Sequence, residues 1–204
     1  MNEPKRNRKS LVIVVALAII VTAAGIYEFN GPSRKMEAET RSGYRGLATG
    51  ALAGFLVKAD RPVVPDLSFK DVQGSEIRLS QWQGRVVLLN LWATWCAPCR
   101  KEMPTLADLQ KQLGSKDFEV VALSVDRKGL AASSAYLKET GADSLGLYVD
   151  DTTKSLDDLQ GLGLPLSVLI DRKGREIGRL LGPAEWNSPE ALALIKTAVA
   201  EAGP

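Results

Sequence analysis

VVLLNLWATWCAPCRKEMPTLADLQKQL, residues 86–113, is the stretch of the sequence from which the fold can be inferred. Its first seven residues form a dense apolar and β-branched run, which is typical of a strand buried on both faces. Soon after this run the sequence predicts a helix that begins near Cys96 and ends before Gly114. A buried strand therefore passes almost directly into a helix that carries a Cys-x-x-Cys pair.

The two cysteines of this pair are placed for thiol–disulfide chemistry. Cys96 lies at the amino terminus of the predicted helix, where unpaired backbone N–H groups and the helix dipole favour the thiolate over the thiol. Cys99 lies one turn later on the same face, and Pro98 is tolerated in the first turn because that turn does not use its missing N–H. We expect Cys96 to attack a substrate disulfide and Cys99 to resolve the mixed disulfide.

Other uses of a Cys-x-x-Cys pair fit this chain less well. Haem attachment requires a histidine in the next position, which is Arg100. The sequence contains no histidine, so the two cysteines cannot complete a Cys/His zinc site, and nucleophile activation by histidine is excluded. An inert structural disulfide remains open, but a bridge across so short a loop stabilises a fold little.

Composition and charge indicate one folded domain with a tail. The chain has 204 residues, of which 45% are hydrophobic and 25% charged, as in globular proteins. The formal net charge is +2; four basic residues and one acidic residue give +3 in the first ten, so the remainder carries −1. A nearly neutral body argues against a nucleic-acid partner, which needs a basic face.

The amino terminus has the pattern of a membrane signal-anchor. Residues 1–10 are basic, and residues 11–27, LVIVVALAIIVTAAGIY, contain no charge. As a helix this run is about 25 Å long, slightly less than the hydrocarbon thickness of a bilayer. Because basic segments stay in the cytoplasm, we expect the rest of the chain outside it. The small residues that end the run also fit a cleaved signal peptide, and a buried core helix is a third alternative.

Residues 28–61 are predicted to form a linker that is flexible in its first half, because they are polar and rich in glycine. Within this linker, residues 47–57 (LATGALAGFLV) are apolar but too few to span a membrane. They either pack on the following domain or lie at the membrane surface. The domain itself is predicted to comprise residues 62–204.

The rest of this domain alternates strand and helix patterns, which predicts a mixed α/β sandwich. The first two and the last two predicted strands are expected to form hairpins, and Ser188, Pro189 and Glu190 form the start signal of the last helix. The predicted strands are 66–69, 76–79, 86–92, 118–125, 147–149, 167–171 and 176–181, and the predicted helices are 96–113, 131–140, 156–160 and 189–202.

The segment NLWATWCAPCRKEMPTL resembles the active-site segment of thioredoxin-like proteins of the TlpA/ResA type, and TlpA is the nearest variety. The resemblance extends from about residue 62 to residue 186, through FEVVALSVD, GLPLSVLIDRKG and RLLGPAEW. It implies a thioredoxin fold, an α/β fold in which helices flank a central mixed sheet, with an insertion at residues 130–149. It also implies no bound cofactor, since the redox-active Cys96–Cys99 disulfide is the working group.

The resemblance assigns roles to the substrate-binding residues. Pro165 matches the cis-proline that faces the disulfide and helps to hold the substrate backbone, and a proline before a buried strand can adopt that isomer. Leu164 departs from the threonine often seen in relatives, which alters the expected fit of the substrate. Trp95, next to Cys96, is expected to shield the disulfide and to contact the substrate.

Glu102 has two interpretations. A glutamate at this position tunes the thiols of ResA-type relatives, so Glu102 is a candidate proton acceptor for Cys99, three residues earlier on the same helix face. Alternatively it is a solvated carboxylate that favours the helix dipole. Plain thioredoxin buries an aspartate where this chain has Asn90, which cannot exchange a proton at neutral pH, and this favours a role for Glu102.

The resemblance implies a membrane-anchored periplasmic enzyme that reduces protein disulfides in cytochrome c or cytochrome oxidase assembly. The substrates it suggests are apocytochrome c, the copper-site subunit of the oxidase and a copper chaperone, with a membrane thiol-electron transporter as the reductant. We expect a monomer at the bacterial inner membrane. Two rival functions remain. A peroxiredoxin-like peroxidase would need a threonine three residues before its cysteine, where this chain has Ala93. A copper metallochaperone would bind copper through the cysteine pair, but the related assembly factors use an additional histidine, which this chain lacks.

Overall fold

The computed structural model describes residues 32–201. The basic segment and the signal-anchor predicted at residues 11–27 lie outside the described residues. Within the described part of the chain no helix is both long and apolar enough to cross a bilayer. The chain divides into two compact units, Met1–Ser42 and Gly43–Pro204. Of the first unit only residues 32–42 are described, all of them helical, and the sheet with its two cores belongs to the second unit.

An eight-stranded mixed sheet organises the second unit. The strands are β1 (Leu56–Val57), β2 (Ser68–Lys70), β3 (Glu76–Arg78), β4 (Val86–Trp92), β5 (Phe118–Ser124), β6 (Gly146–Val149), β7 (Leu166–Ile170) and β8 (Glu176–Leu181). The helices are α1 (Pro32–Leu47), α2 (Ala97–Leu113), α3 (Gly129–Glu139), α4 (Lys154–Asp158) and α5 (Pro189–Ala200), with 3₁₀ helices at Gly50–Leu52 and Leu79–Trp82. The strand order is β1-β8-β7-β4-β5-β6-β2-β3.

Strand β4 lies near the middle of the sheet because its sequence suits burial on both faces. All seven of its residues are buried. Leu88 and Trp92 face one core, which also contains residues of α2, α3 and α5. Leu89 and Leu91 face a second core, formed with the β2–β3 hairpin and the segment around α4. The alternation expected for a strand is therefore present, with apolar partners on each side.

The topology gives the sheet one edge at which the motif lies. Strands β4, β5 and β6 are parallel, so their carboxyl ends share this edge. Strand β7 is antiparallel to β4 and begins there, while β8 is antiparallel to β7 and ends there. Helix α2 starts from the same edge, after a loop of only four residues that follows β4. We call this edge the catalytic edge; the loops after β4, β5 and β8 and the loop before β7 meet there.

Residues 43–61 belong to the fold of the second unit, in contrast to the predicted linker. Residues 32–47 form α1 instead of a flexible chain. Tyr44, Leu52 and Phe55 are buried in the core, and β1 pairs with β8. Of the two interpretations of the apolar run at 47–57, packing on the domain is confirmed, and the domain starts earlier than predicted. The composition concealed this because the partners that bury these residues come from β8 and α5.

Gly178 on β8 explains how this segment comes so close. A Cβ atom there would lie 2.5 Å from the ring of Phe55 and 2.7 Å from the carbonyl oxygen of Leu56. Only glycine leaves room for both groups. The glycine in the strand pattern of residues 176–181 thus marks the contact with β1.

The strands and helices predicted from the sequence are present, with bounds shifted by at most two residues. The hairpins are β2–β3 and β7–β8. The insertion predicted at 130–149 contains most of α3 and all of β6. Helix α5 begins with Ser188 as its N-cap, whose hydroxyl accepts the N–H of Ala191. Local start signals and strand patterns were therefore sufficient for these elements.

Candidate active site

Cys96 and Cys99 form a disulfide at the amino terminus of α2. Cys96 is the N-cap residue, and its sulfur accepts the backbone N–H of Cys99 at 3.2 Å. Cys96 is 5% exposed and Cys99 is fully buried. A helix amino terminus with the N–H of Cys99 directed at the Cys96 sulfur favours negative charge on that atom. Cys96 is therefore the sulfur suited to attack, and Cys99 the sulfur suited to resolve.

The loop that presents Cys96 is fixed by Asp126, which follows β5. Both the N–H and the hydroxyl of Thr94 donate to the same carboxylate oxygen of Asp126. Burial alone would raise the pKa of Asp126, but hydrogen bonds from Thr94 and the N–H of Lys128 outweigh it and hold the pKa below its ordinary value. Asp126 is thus an anionic anchor for the loop. Trp95, between Thr94 and Cys96, is 67% exposed.

Pro165 lies at the catalytic edge in the isomer expected from the sequence. The Leu164–Pro165 peptide bond is cis. Because Leu166 pairs with Leu91, Pro165 stands beside the end of β4, close to where α2 begins. The N–H of Gly182 donates to the Pro165 carbonyl oxygen at 2.9 Å, which ties the ends of β7 and β8 together. Leu164 is only partly buried, so it is accessible at the same edge.

Glu102 is buried, and its interpretation as a solvated helix carboxylate is wrong. Only 2% of it is exposed. One carboxylate oxygen accepts the N–H of Ala184 at 3.1 Å and the indole N–H of Trp186 at 3.3 Å. Burial raises the pKa of Glu102 from its ordinary value of 4.5 to about 7, although hydrogen bonds from Asn90, Ala184 and Trp186 oppose that rise. A carboxyl group that changes charge near neutral pH therefore lies one turn beyond Cys99.

Asn90 connects Glu102 to the sheet. Its Nδ2 donates to the other carboxylate oxygen of Glu102 at 2.8 Å and to the hydroxyl of Ser167 at 2.9 Å. All three residues are buried. The sequence identified Asn90 only as the replacement of an aspartate. It gave no reason to select Ser167, and Trp186 had the weak signal of a single aromatic residue in the polar loop GPAEW.

The remaining residues around the motif have structural roles. Trp92 is fully buried and packs on Tyr136, with ring centroids 5.5 Å apart. The guanidinium of Arg100 lies 5.2 Å from the centroid of the Tyr136 ring, and the Tyr136 hydroxyl donates to the Arg100 carbonyl oxygen. These contacts join α2 to α3. Pro104 lies inside α2.

A cavity of about 210 Å³ lies away from the cysteines. It is lined by Val64, Trp82, Val87 and Ile170, among others, and so lies at the edge of the sheet where β4 begins. The disulfide itself borders a surface with an exposed tryptophan. The geometry at the catalytic edge therefore suits contact with the surface of another protein.

The chain is similar to known proteins over the region that contains this site. The sequence pattern of the redoxin family matches residues 58–195. The thiol-disulfide oxidoreductase ResA of Bacillus cereus is 32% identical over 118 residues, which are 58% of this chain and 67% of that protein. ResA of Bacillus subtilis is also 32% identical over 118 residues, which are 58% of this chain and 65% of that protein.

Solved structures show the same architecture. A thiol:disulfide interchange protein DsbE from Chlorobium tepidum has a TM-score of 0.62 and 27% identity, and the match covers 68% of this chain and 96% of that chain. A protein disulfide isomerase from Bacteroides thetaiotaomicron has a TM-score of 0.59 and 28% identity, covering 72% and 94%. The thioredoxin-like α/β fold expected from the sequence is confirmed.

Proposed function

The chain belongs to the redoxin family and, within it, to the thiol–disulfide oxidoreductases of the TlpA/ResA type, and from this premise we propose that it reduces disulfides of partner proteins on the outer side of a bacterial inner membrane. That it is a thiol–disulfide oxidoreductase follows from its relatives and from the disulfide at the head of α2. The reducing direction, the location and the partners are the proposal.

The position of the cysteine pair is the observation that carries this proposal. The sulfur of Cys96 caps α2 and is the less buried of the two, whereas Cys99 lies behind it in the core. An attacking thiol must be ionised and accessible, and a resolving thiol must only reach the first sulfur. The arrangement therefore supports attack by Cys96 and resolution by Cys99.

The reaction transfers two electrons from the enzyme to the partner. The Cys96 thiolate attacks the partner disulfide; one partner sulfur leaves as a thiolate and takes up a proton, and a mixed disulfide forms. The Cys99 thiolate then attacks the sulfur of Cys96, the mixed disulfide breaks, and the second partner sulfur leaves in the same way. The Cys96–Cys99 disulfide remains and must be reduced again, for which we propose a membrane thiol-electron transporter.

Glu102 supplies the proton acceptor that the second step needs. Cys99 is buried and must lose its proton before it can attack. Glu102 lies one turn away, in a site where its pKa of about 7 lets it take a proton at neutral pH. Trp95, Leu164 and Pro165 form the surface that receives the partner, since they lie at the same edge and the first two are accessible.

The anchor pattern of residues 11–27 and the basic residues before it support a location outside the cytoplasm, where protein disulfides persist. The resemblance to the TlpA/ResA type supports a role in cytochrome c or cytochrome oxidase assembly. Partners in keeping with that role are apocytochrome c, the copper-site subunit of the oxidase and a copper chaperone. Each would present a cysteine pair to Cys96.

Trapping of the mixed disulfide tests the proposal. The full-length Cys99→Ser variant, reduced and incubated with envelope proteins, is expected to accumulate covalent adducts that dithiothreitol releases, because Cys96 attacks and no thiol resolves. Cys96→Ser is the matched control and should accumulate none. Adducts on Cys96→Ser alone would reverse the two roles, and adducts on neither variant would contradict a protein-disulfide reductase.

A further inference from the structure

Hydrogen bonds satisfy only one end of the Asn90 side-chain amide. Its Nδ2 donates to both Glu102 and Ser167, whereas its Oδ1 is buried and has no hydrogen-bond partner. Among the described residues with such orphan side-chain atoms, Asn90 is the one whose orphan atom is an acceptor. A buried carbonyl oxygen without a donor is costly, so a partner in another state of the site is expected.

Glu102 is held by donors of two kinds. The N–H groups of Ala184 and Trp186 converge on one carboxylate oxygen and cannot become acceptors. The other oxygen faces Asn90, whose amide carries a donor at one end and an acceptor at the other. When Glu102 gains a proton, its hydroxyl needs an acceptor. The proton therefore belongs on the oxygen that faces Asn90.

If Glu102 is protonated on this oxygen and Asn90 keeps its orientation, the O–H of Glu102 and the N–H of Asn90 face each other, and neither finds an acceptor. Rotation of the Asn90 amide by half a turn removes this conflict, because Oδ1 then faces the Glu102 hydroxyl. The rotation breaks no hydrogen bond of Oδ1, since that atom has none, and the Ser167 hydroxyl can reverse to donate instead of accept. After the rotation Nδ2 occupies the position in which Oδ1 now lies.

The Asn90 side chain is on the face of β4 that packs on the core containing Cys99. Asn90, Leu88 and Trp92 project from the same face of β4, and Leu88, Trp92 and Cys99 belong to one core. Glu102 follows Cys99 by three residues, and side chains on a helix lean towards its amino terminus. The Glu102 carboxylate, with Asn90 bound to it, is therefore displaced towards Cys99.

We propose that Asn90 is a positioning residue whose side-chain amide reverses with the protonation of Glu102, presenting an acceptor to the Cys99 thiol and a donor to the Cys99 thiolate. This inference rests on the proposed function. The Cys99 proton moves to Glu102, so the pair keeps one negative charge throughout. The reversed amide then accepts from the Glu102 hydroxyl and donates to the thiolate that attacks Cys96.

Few other charged groups lie where they could affect this proton exchange. Strands β4 and β7, which supply Asn90 and Ser167, contain no charged residue and so face Glu102 with neutral side chains only. On α2 the nearby titratable groups are the two cysteines and the exposed Arg100 and Lys101. Glu185, in the loop that supplies Ala184 and Trp186, is exposed.

Side-chain amide NMR of the reduced, full-length protein tests the reversal directly. The chain has five asparagines, and the Asn90 signal is identified by its absence from Asn90→Leu. We expect nuclear Overhauser contacts from the Asn90 amide protons to Cys99 β protons below about pH 7, and their replacement by contacts to Ser167 above it. In the Glu102→Gln variant the introduced side-chain amide does not titrate and always donates to Oδ1 of Asn90. The contacts between the Asn90 amide protons and Cys99 should therefore persist at every pH. Contacts that do not change with pH in the native protein would overturn the proposal.

Stopped-flow kinetics measure the consequence for Cys99. Reduced protein mixed with dithiobis(nitrobenzoate) releases a first thionitrobenzoate when Cys96 attacks and a second when Cys99 resolves. Asn90→Leu is expected to slow the second release about tenfold at pH 7 and to move its inflection upward by about one pH unit, since the thiolate loses its donor. The first release should stay within about twofold.

Tyr148→Phe is the control, because it removes a partly buried hydrogen bond, to Glu119 near the start of β5, away from the catalytic edge. It should change neither release. An Asn90→Leu profile with the native inflection would overturn the inference while leaving the proposed function intact. Failure of the native protein to release the second thionitrobenzoate at all would contradict the proposed function, and the NMR result would still decide the reversal.

Discussion

Glu102 brings an ionisable group into the core at a measurable cost to the fold. Three donors at 2.8–3.3 Å stabilise its carboxylate, and burial still outweighs them. The protonated form is therefore favoured in the folded state compared with the unfolded chain, where the carboxyl group is hydrated. Such a group makes stability depend on pH in a predictable direction.

We predict that the free energy of unfolding of the oxidised protein, relative to that of Glu102→Gln, falls by about 3 kcal/mol between pH 4.5 and 7. The folded protein binds more protons than the unfolded chain in this interval, because folding raises the Glu102 pKa to about 7. Stability is therefore lost as the pH rises, and below pH 4.5 both states are protonated. Urea denaturation of both proteins at several pH values measures the difference. A difference independent of pH would show that Glu102 ionises normally in the fold.

The sequence predicted some site residues and missed others for a physical reason. Cys96 and Cys99 could be inferred from local features, namely a helix start and a one-turn spacing, and Pro165 was selected by the family resemblance, with which its place before a strand is compatible. The burial of Glu102 depends on Ala184 and Trp186, which are 82 and 84 residues away in the sequence. Contacts of that separation leave no periodic signal, so both interpretations of Glu102 remained open.

At the scale of elements, the segment from Gly43 to β1 completes the core. The hydroxyl of Tyr44 donates to Glu201 at 2.7 Å, and Arg61 binds the same carboxylate through both of its terminal nitrogens. The beginning and the end of the domain are thereby joined. The strand and helix patterns between residues 66 and 200 were recognisable because each repeats with its own period. This segment was not, because its polar composition resembles a linker and its burial depends on elements far along the chain.

Two truncated chains distinguish a domain that starts at residue 43 from one that starts at residue 62, as predicted from the sequence. We predict that a chain of residues 43–204 unfolds cooperatively at nearly the temperature of the full-length protein, whereas a chain of residues 62–204 is severely destabilised. The shorter chain loses the burial of Tyr44, Leu52 and Phe55, which contributes about 5–9 kcal/mol. That loss is comparable with the whole stability of a typical domain. Calorimetry of the two chains measures the effect, and equal melting temperatures would restore the boundary at residue 62.

At the scale of the whole molecule, the sheet gathers the functional groups at one edge. The Cys96 loop follows β4, Asp126 follows β5, Pro165 precedes β7 and the Trp186 loop follows β8. Because parallel strands end together, four separate stretches of sequence meet where α2 begins. The opposite edge carries the β7–β8 turn and the clasp of Arg61 on Glu201 and Asp171.

The proposed anchor predicts on which side of the membrane Cys96 reacts. In spheroplasts of a Gram-negative host that expresses full-length Cys99→Ser, a charged, membrane-impermeant maleimide should label Cys96 before lysis, because the basic residues 1–10 hold the amino terminus inside. The same variant without residues 11–27 is the control and should be labelled only after lysis. Labelled protein in the membrane fraction at full mass indicates an anchor, and labelled soluble protein of lower mass indicates a cleaved signal peptide. Labelling of the full-length variant only after lysis would place the thiol in the cytoplasm and contradict the proposed location.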